Sequence, residues 1–245
     1  MLEIEEQRGG GLSETKLLLF DLDDTLLHFE DYWTKSMYES FDTFPLTRDI
    51  GMDQLFPVFL KHDEQFHENW LDGTIDAREF RNLRYIHTLA DFNINVGVVE
   101  SMAFEQWFRT IRAAYIPRDT MLVEQLANWA KRYKIGILTN GTAEDQYDKL
   151  WRMGLDQLFA EGNVFVSDEI GFAKPNKEAY LHAASAMNCL PEETVFIGDS
   201  WVNDVAGPLE AGMKAIWLNK KRREQPGSPV PTGIIDQLQE LEIYI

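Results

Sequence analysis

A single cysteine, Cys189, stands in a chain of 245 residues, so no intrachain disulfide is available and the fold must rest on its apolar core. Cys189 lies in an apolar, helix-like stretch and reads as buried packing rather than as a nucleophile. Positive charge is also scarce: 23 Lys and Arg stand against 41 Asp and Glu, a formal net charge of −18. Polymeric nucleic acid and anionic membrane surfaces are bound by clustered Lys and Arg, so neither is expected as a partner. A small phosphorylated metabolite needs only one local cation and stays open. No apolar run reaches the roughly 18 residues that a membrane span needs. Met1 to Arg8 shows no basic region followed by an apolar one, so no secretory signal is read. The five histidines, His28, His62, His67, His87 and His182, lack the spacing of a zinc site. These absences leave a cytoplasmic protein, monomer or homodimer, as the expectation.

An apolar content of 44% is present, enough for a full core over one or two domains. Residues 1–15 are polar, broken by Gly9-Gly10-Gly11, and read as a flexible leader. Leu17-Leu18-Leu19-Phe20 reads as a strand buried on both faces. The grammar then changes to 3.6-residue spacing, with Tyr32, Trp33, Met37 and Phe41 on one helical face and Leu55, Val58, Phe59, His62 and Phe66 on another. Asp76-Ala77-Arg78-Glu79 has the form of a capping box. Past Pro117, strands alternate with helices: strands are expected near 135–138, 164–167, 194–198 and, as the last, 214–218. Helices are expected over 121–132, 143–153, 177–187 and 204–211. Alternation of this kind implies a parallel α/β sheet. The expected organisation is therefore a discontinuous Rossmann-like core, residues 16–28 and 115–245, with an all-α insertion over 29–114.

The first strand runs into Asp21-Leu22-Asp23-Asp24-Thr25. Clustered carboxylates repel and are costly to desolvate, so such a group calls for a cation or for chemistry. Residues i and i+2 of a strand share a side, so Asp21 and Asp23 can act on one bound group. Thr139-Asn140-Gly141 follows a second strand, Lys174 sits in a loop before a helix, and Asp199 with Asp204 follows another strand. In a parallel sheet these strand ends converge on one crevice. Carboxylate oxygens suit Mg2+; Lys174 and the Thr139 hydroxyl suit a phosphoryl group. A carboxylate nucleophile beside a second carboxylate that moves a proton allows transfer through an aspartyl phosphate.

Asp21-Leu22-Asp23-Asp24-Thr25, Leu138-Thr139-Asn140-Gly141, Ala173-Lys174-Pro175 and Gly198-Asp199-Ser200-Trp201-Val202-Asn203-Asp204 resemble, in order, the four motifs of the haloacid dehalogenase superfamily. The resemblance runs from about Lys16 to the C-terminus. It implies a core of that fold with a C1-type helical cap, and Mg2+ as cofactor. It implies Asp21 as nucleophile and Asp23 as general acid and base, with the Asp23 backbone carbonyl toward the metal. Thr139, Asn140 and Lys174 become the phosphoryl-binding group. Asp199 becomes a direct metal ligand and Asp204 an outer carboxylate. A carboxylate at the position of Asp23 implies phosphate monoesters rather than carbon–halogen bonds as substrates. Leu71-Asp72-Gly73-Thr74 with Glu79-Phe80-Arg81 and Arg84, and Gly141-Thr142 in the core, look closest to the YjjG/YfnB-type branch, which implies 5'-nucleotidase activity. A sugar phosphomutase of the same superfamily is the alternative, since it shares all four motifs.

Other residues carry a weaker pattern. Arg81 and Arg84, with Arg109 and Arg112, lie in the expected cap. They read either as surface partners of the many acids or as readers of the leaving group; Arg81 and Arg84 are the specificity candidates. Asp168 and Glu169 read as solvated loop acids, and Asp204 has a second reading as a helix N-terminal carboxylate.

Overall fold

The structure is a computed structural model and describes residues 14–71, 73–159 and 162–245. Residues 1–13, most of the expected leader, lie outside the described residues. The described residues form two compact units, one of residues 14–28 and 119–245, the other of residues 29–118.

The first unit is built on six parallel strands: β1 (Leu17–Phe20), β2 (Lys134–Thr139), β3 (Val164–Val166), β4 (Thr194–Gly198), β5 (Lys214–Leu218) and β6 (Gly233–Ile235). Their order across the sheet is β3-β2-β1-β4-β5-β6. Strand β1 is central, with Phe20 paired to Ile137 on one side and to Ile197 on the other. All four of its side chains are fully buried, which is why the strand is apolar without alternation. One face packs Leu17, Leu19, Leu138 and Phe196 against Tyr180 and Ala183 of a helix over Lys177–Ala186. On the other, Phe20 stacks on Trp129, ring centroids 5.8 Å apart. Chain order runs outward from β1 to β3 and returns beside β1 with β4. The two middle strands therefore flank the point where the order reverses, where parallel sheets open a crevice at their carboxyl ends.

The second unit holds α1 (Phe29–Thr43), α2 (Met52–Leu71), α3 (Ala77–Asp91) and α4 (Val98–Tyr115). Its core is aromatic: Phe41, Phe59, Tyr85 and Phe104 are buried together, with Tyr85 stacked 4.4 Å from Phe104. Asp76 caps α3 by accepting from the backbone N–H of Arg78 and Glu79, the role its position before the apolar run indicates. Back in the sheet unit, α5 (Thr120–Trp129) precedes β2 and α6 (Ala143–Met153) follows it. Gly154 ends α6 in the left-handed conformation, φ 77°, which its missing Cβ allows.

Two departures from the sequence expectations stand out. Strand β5 is not the last, because Gly233–Ile235 adds an edge strand; three residues are too few to show a period. The helix expected from Asp204 begins earlier as a π-helical turn over Trp201–Ala206. Among the described residues, no helix is long and apolar enough to cross a membrane.

Candidate active site

Asp21 is the first residue past β1, and its N–H still donates to the Ile197 carbonyl of β4 at 2.9 Å. That bond holds it at the reversal point of the sheet. The chain then folds back tightly. Leu26 and Leu27 N–H both donate to the Leu22 carbonyl, and Asp24 takes a left-handed φ of 59°. The Lys220 ammonium, arriving after β5, donates to the Asp24 and Thr25 carbonyls at 2.9 and 3.1 Å. Thr25, so placed, donates its hydroxyl to Asp21 Oδ2 at 2.9 Å. Thr25 lies in the first motif without an assigned role, and Lys220 carries no sequence signal; the backfolded turn reveals the part each plays.

Lys174 and Asp204 complete a buried charge cluster. The Lys174 ammonium donates to Asp21 Oδ1 and to Asp204 Oδ1, both at 2.7 Å. Asp204 Oδ2 accepts from the Ser200 backbone N–H at 2.9 Å, so both of its oxygens are engaged. Gly198 makes room for this: a Cβ there would lie 2.4 Å from Asp204 Cγ. Asp199 follows β4, its carbonyl accepting from the Trp217 indole N–H at 2.8 Å. The carboxylates of Asp21, Asp199 and Asp204 offer oxygens within 4.8 Å of one another.

The electrostatics follow from burial and crowding. Burial pushes the Asp21 carboxyl up to about 7, with Lys174 opposing and Asp204 and Asp23 adding to the rise. Burial likewise raises Asp199 to about 6, helped by Asp21 and Asp24. Asp204 is raised by burial against the pull of Lys174. For Lys174, burial works against the charge, but Asp204 and Asp21 outweigh it and hold the ammonium above the ordinary lysine range. Burial draws Lys220 down, with Asp24, Asp199 and Asp21 opposing.

The neighbouring loops are tied to the same place. Thr139 ends β2 and is buried; it lies two residues beyond the Ile137–Phe20 pair. Asn140 clasps the lysine loop, its side chain donating to the Lys174 carbonyl and accepting from the Lys174 N–H, each at 2.8 Å. The Gly141 N–H donates to Ser167 Oγ at 3.0 Å. Asp168 is likewise engaged, accepting from the Ala143 N–H at the start of α6 at 3.3 Å. Glu169 accepts from the Tyr147 hydroxyl at 3.0 Å.

Asp23 has a cation of its own. Its carboxylate is absent from the close group of Asp21, Asp199 and Asp204. Both of its oxygens accept from the Lys149 ammonium, at 2.8 and 2.6 Å. Lys149 projects from α6 and was not singled out by the sequence pattern.

Arg81, Arg84, Arg109 and Arg112 of the helical unit are all engaged. Arg84 is buried, donates to Asp63 Oδ1 at 2.5 Å and lies over the Phe80 and Phe59 rings. Glu105 gathers Arg81 at 3.8 Å, Arg109 at 3.3 Å and Arg84 at 4.0 Å. Arg112 is buried over the Phe108 ring. Arg84 thus has both an ion-pair partner and aromatic packing inside the helical unit.

A family model described as haloacid dehalogenase-like hydrolase matches residues 15–212. Over 236 residues the chain is 32% identical to glyceraldehyde 3-phosphate phosphatase of Methanocaldococcus jannaschii, covering 92% of this chain and 95% of that protein. It is 28% identical over 238 residues to the pyrimidine 5'-nucleotidase YjjG of Escherichia coli, with 92% and 95% covered. Among solved structures, the magnesium-bound putative HAD-hydrolase YfnB of Bacillus subtilis superposes with a TM-score of 0.74 at 25% identity, covering 93% of this chain and 96% of that one.

Proposed function

The chain belongs to the haloacid dehalogenase-like hydrolase family, and from that premise we propose that it is a Mg2+-dependent phosphomonoester hydrolase acting on a small phosphorylated metabolite. The observation that carries this reading is the Lys174 ammonium bridging Asp21 and Asp204, with Asp199 beside them. A phosphoryl-transfer site needs that combination of an acidic attacking group, a fixed cation and spare oxygens.

The residues fit the ion. Three carboxylates crowd within 4.8 Å around one ammonium, and their hard oxygens are the donors Mg2+ selects. Asp21 and Asp199 would hold it; Asp204, the most deeply buried of the three, would orient Lys174 from outside. Asp23 would contribute through its backbone carbonyl, since its carboxylate is held by Lys149. When bound, the ion stabilises negative charge on the transferring phosphoryl group.

The chain's own residues then divide the reaction. Lys174, Thr139 and the Asn140 turn bind the phosphoryl oxygens. Asp21 Oδ attacks phosphorus, the bond from phosphorus to the leaving oxygen breaks, and Asp23 delivers a proton to that oxygen. In the second half, Asp23 takes a proton from water as the water oxygen attacks phosphorus. The Asp21–phosphorus bond breaks and inorganic phosphate leaves, with both carboxyl groups restored. Arg81 and Arg84 are proposed as determinants of the leaving group. A 5'-nucleotide and a triose phosphate are the first substrates to try, from the names of the relatives.

The test is phosphate release, with Mg2+, from a panel of nucleoside 5'-monophosphates, triose phosphates and hexose phosphates. Turnover is expected on at least one, and Asp21→Asn is expected to abolish it while the melting transition persists. Retained activity in that variant removes Asp21 as nucleophile. An isomeric sugar phosphate in place of inorganic phosphate would assign the chain to the mutases.

A further inference from the structure

The phosphatase reading above accounts for Lys174 but leaves a second buried ammonium without a task. The Lys149 side chain is 5% exposed and that of Asp23 is 26% exposed, and their closest approach is 2.6 Å. A buried ammonium is costly to desolvate and persists where its partners compensate it. We propose that Lys149 is the positioning residue for Asp23, clamping both carboxylate oxygens from the core side so that the exposed edge of Asp23 keeps one orientation for proton transfer. The inference rests on the phosphatase reading for the purpose it assigns to Asp23.

The geometry around the pair is that of a supported clamp. Lys149 stands on α6, so it is aimed by a helix rather than by a loop. It donates to Gln146 Oε1 at 3.2 Å, one turn earlier on the same helix. Gln146 Nε2 in turn donates to the Asn140 carbonyl at 2.9 Å and approaches Asp23 Oδ2 at 3.4 Å. Asn140 is the residue that clasps both the N–H and the carbonyl of Lys174. One continuous polar path therefore links the proton-transfer carboxylate to the loop that carries the phosphoryl-binding lysine. Asp21 takes no part in it: its cation is Lys174 and its hydroxyl donor is Thr25. The two carboxylates at i and i+2 thus have separate cations. A carboxylate on the backfolded turn without such a clamp would rotate about its side-chain bonds, and proton transfer depends on its being held within hydrogen-bond reach of the leaving oxygen.

The experiment compares Lys149→Met with wild type in Mg2+ on two esters. An alkyl phosphate needs a proton on its leaving oxygen, whereas p-nitrophenolate leaves without one. On the alkyl ester, kcat is expected to fall about 100-fold, the scale of general acid–base catalysis, with KM nearly unchanged. On p-nitrophenyl phosphate, rapid mixing is expected to show a burst of one p-nitrophenolate per enzyme and then slow turnover, because attack by Asp21 survives while activation of water does not. Adding Lys149→Met to Asp23→Asn should cost nothing further in the slow turnover after the burst or in kcat on the alkyl ester. A crystal structure of Lys149→Met should show the Asp23 carboxylate turned from its wild-type orientation. Wild-type kinetics on both esters, an additive loss in the double variant, or an unmoved Asp23 would overturn the proposal. Where Lys149→Met does not melt cooperatively, Lys149→Gln takes its place in the same measurements. Failure of the phosphatase reading shows separately, as wild-type enzyme inert on every ester or Asp21→Asn active, and the crystallographic readout of Asp23 still decides the clamp.

Discussion

Removal of metal should make this protein less stable as the pH rises through neutrality, the reverse of ordinary acid denaturation. Asp21 has an ordinary value of 3.8 and is pushed to about 7 in the fold. Between those values the folded state holds a proton that the unfolded state has released, so stability falls with rising pH. It is full below pH 4 and has been lost once the pH passes about 7. Over the experimentally convenient span from pH 5 to 8, that amounts to about 3 kcal/mol at 1.36 kcal/mol per pKa unit. Asp199, raised to about 6, acts in the same direction. Part of its rise is repulsion from Asp21, and the group is partly solvated, so its share is not added in full. For a chain of this size the loss corresponds to a melting temperature lower by about 9 °C at pH 8 than at pH 5. The assay is a melt in EDTA and again with saturating Mg2+. The ion needs ionised carboxylates, so its stabilising effect should be larger at pH 8 than at pH 5 and should offset most of the loss. Asp21→Asn, which removes the buried charge, should flatten the slope in EDTA and melt above wild type at pH 8. An EDTA profile that is level or rises from pH 5 to 8, or one that Asp21→Asn leaves unchanged, would refute the reasoning.

Three further substitutions probe the two units separately. Gly198→Ala would put a methyl 2.4 Å from Asp204 Cγ, forcing that carboxylate off Lys174; activity should fall about 100-fold, the cost of misplacing a catalytic group by about 1 Å, with the urea midpoint falling as well. In the helical unit, Arg84→Ala strips the cation from Asp63 and from between two aromatic rings; it should cost about 2 kcal/mol in urea unfolding. Arg81→Ala, which removes the 3.8 Å contact with Glu105, should change kcat/KM on some phosphate esters but not others, and that pattern would mark Arg81 as a specificity determinant. Equal values across the whole panel would remove that role.

The sequence discloses most where one physical constraint acts locally. An apolar run with no alternation identifies β1, because a central parallel strand is buried on both faces. Carboxylates directly after it identify the crevice, because a strand end is where such charges meet solvent and ligand. Gly154 and Asp76 mark helix ends through backbone and capping chemistry that depends on a few neighbouring residues. What stays hidden depends on distant partners. Lys149 lies between Asp148 and Leu150 in a helix rich in charge, and its inward direction has meaning only through Asp23, 126 positions away. Lys220 is an ordinary loop lysine until the β1 turn folds back to offer it two carbonyls. The edge strand β6 escapes for a different reason: three residues complete no pattern.

The separate cations bear on how two acids so close in the chain can be asked to do different work. Carboxylates that share one site share one proton, and their titrations belong to the pair. Here the fold sends the side chains of Asp21 and Asp23 to different ammonium groups, one from the loop before a helix and one from α6. Asp21 is closed in by Lys174, Thr25 and the sheet end, a setting suited to an attacking oxygen that must not wander. Asp23 keeps an exposed edge and a fixed back, a setting suited to passing a proton outward and receiving one from water. If the division arises from these partners rather than from the carboxylates themselves, exchanging the cations should matter more than exchanging the acids. Asp23→Glu, which keeps the charge but lengthens the arm, should then lose proton transfer because its oxygens overrun Lys149, and burst amplitude on p-nitrophenyl phosphate should survive that change.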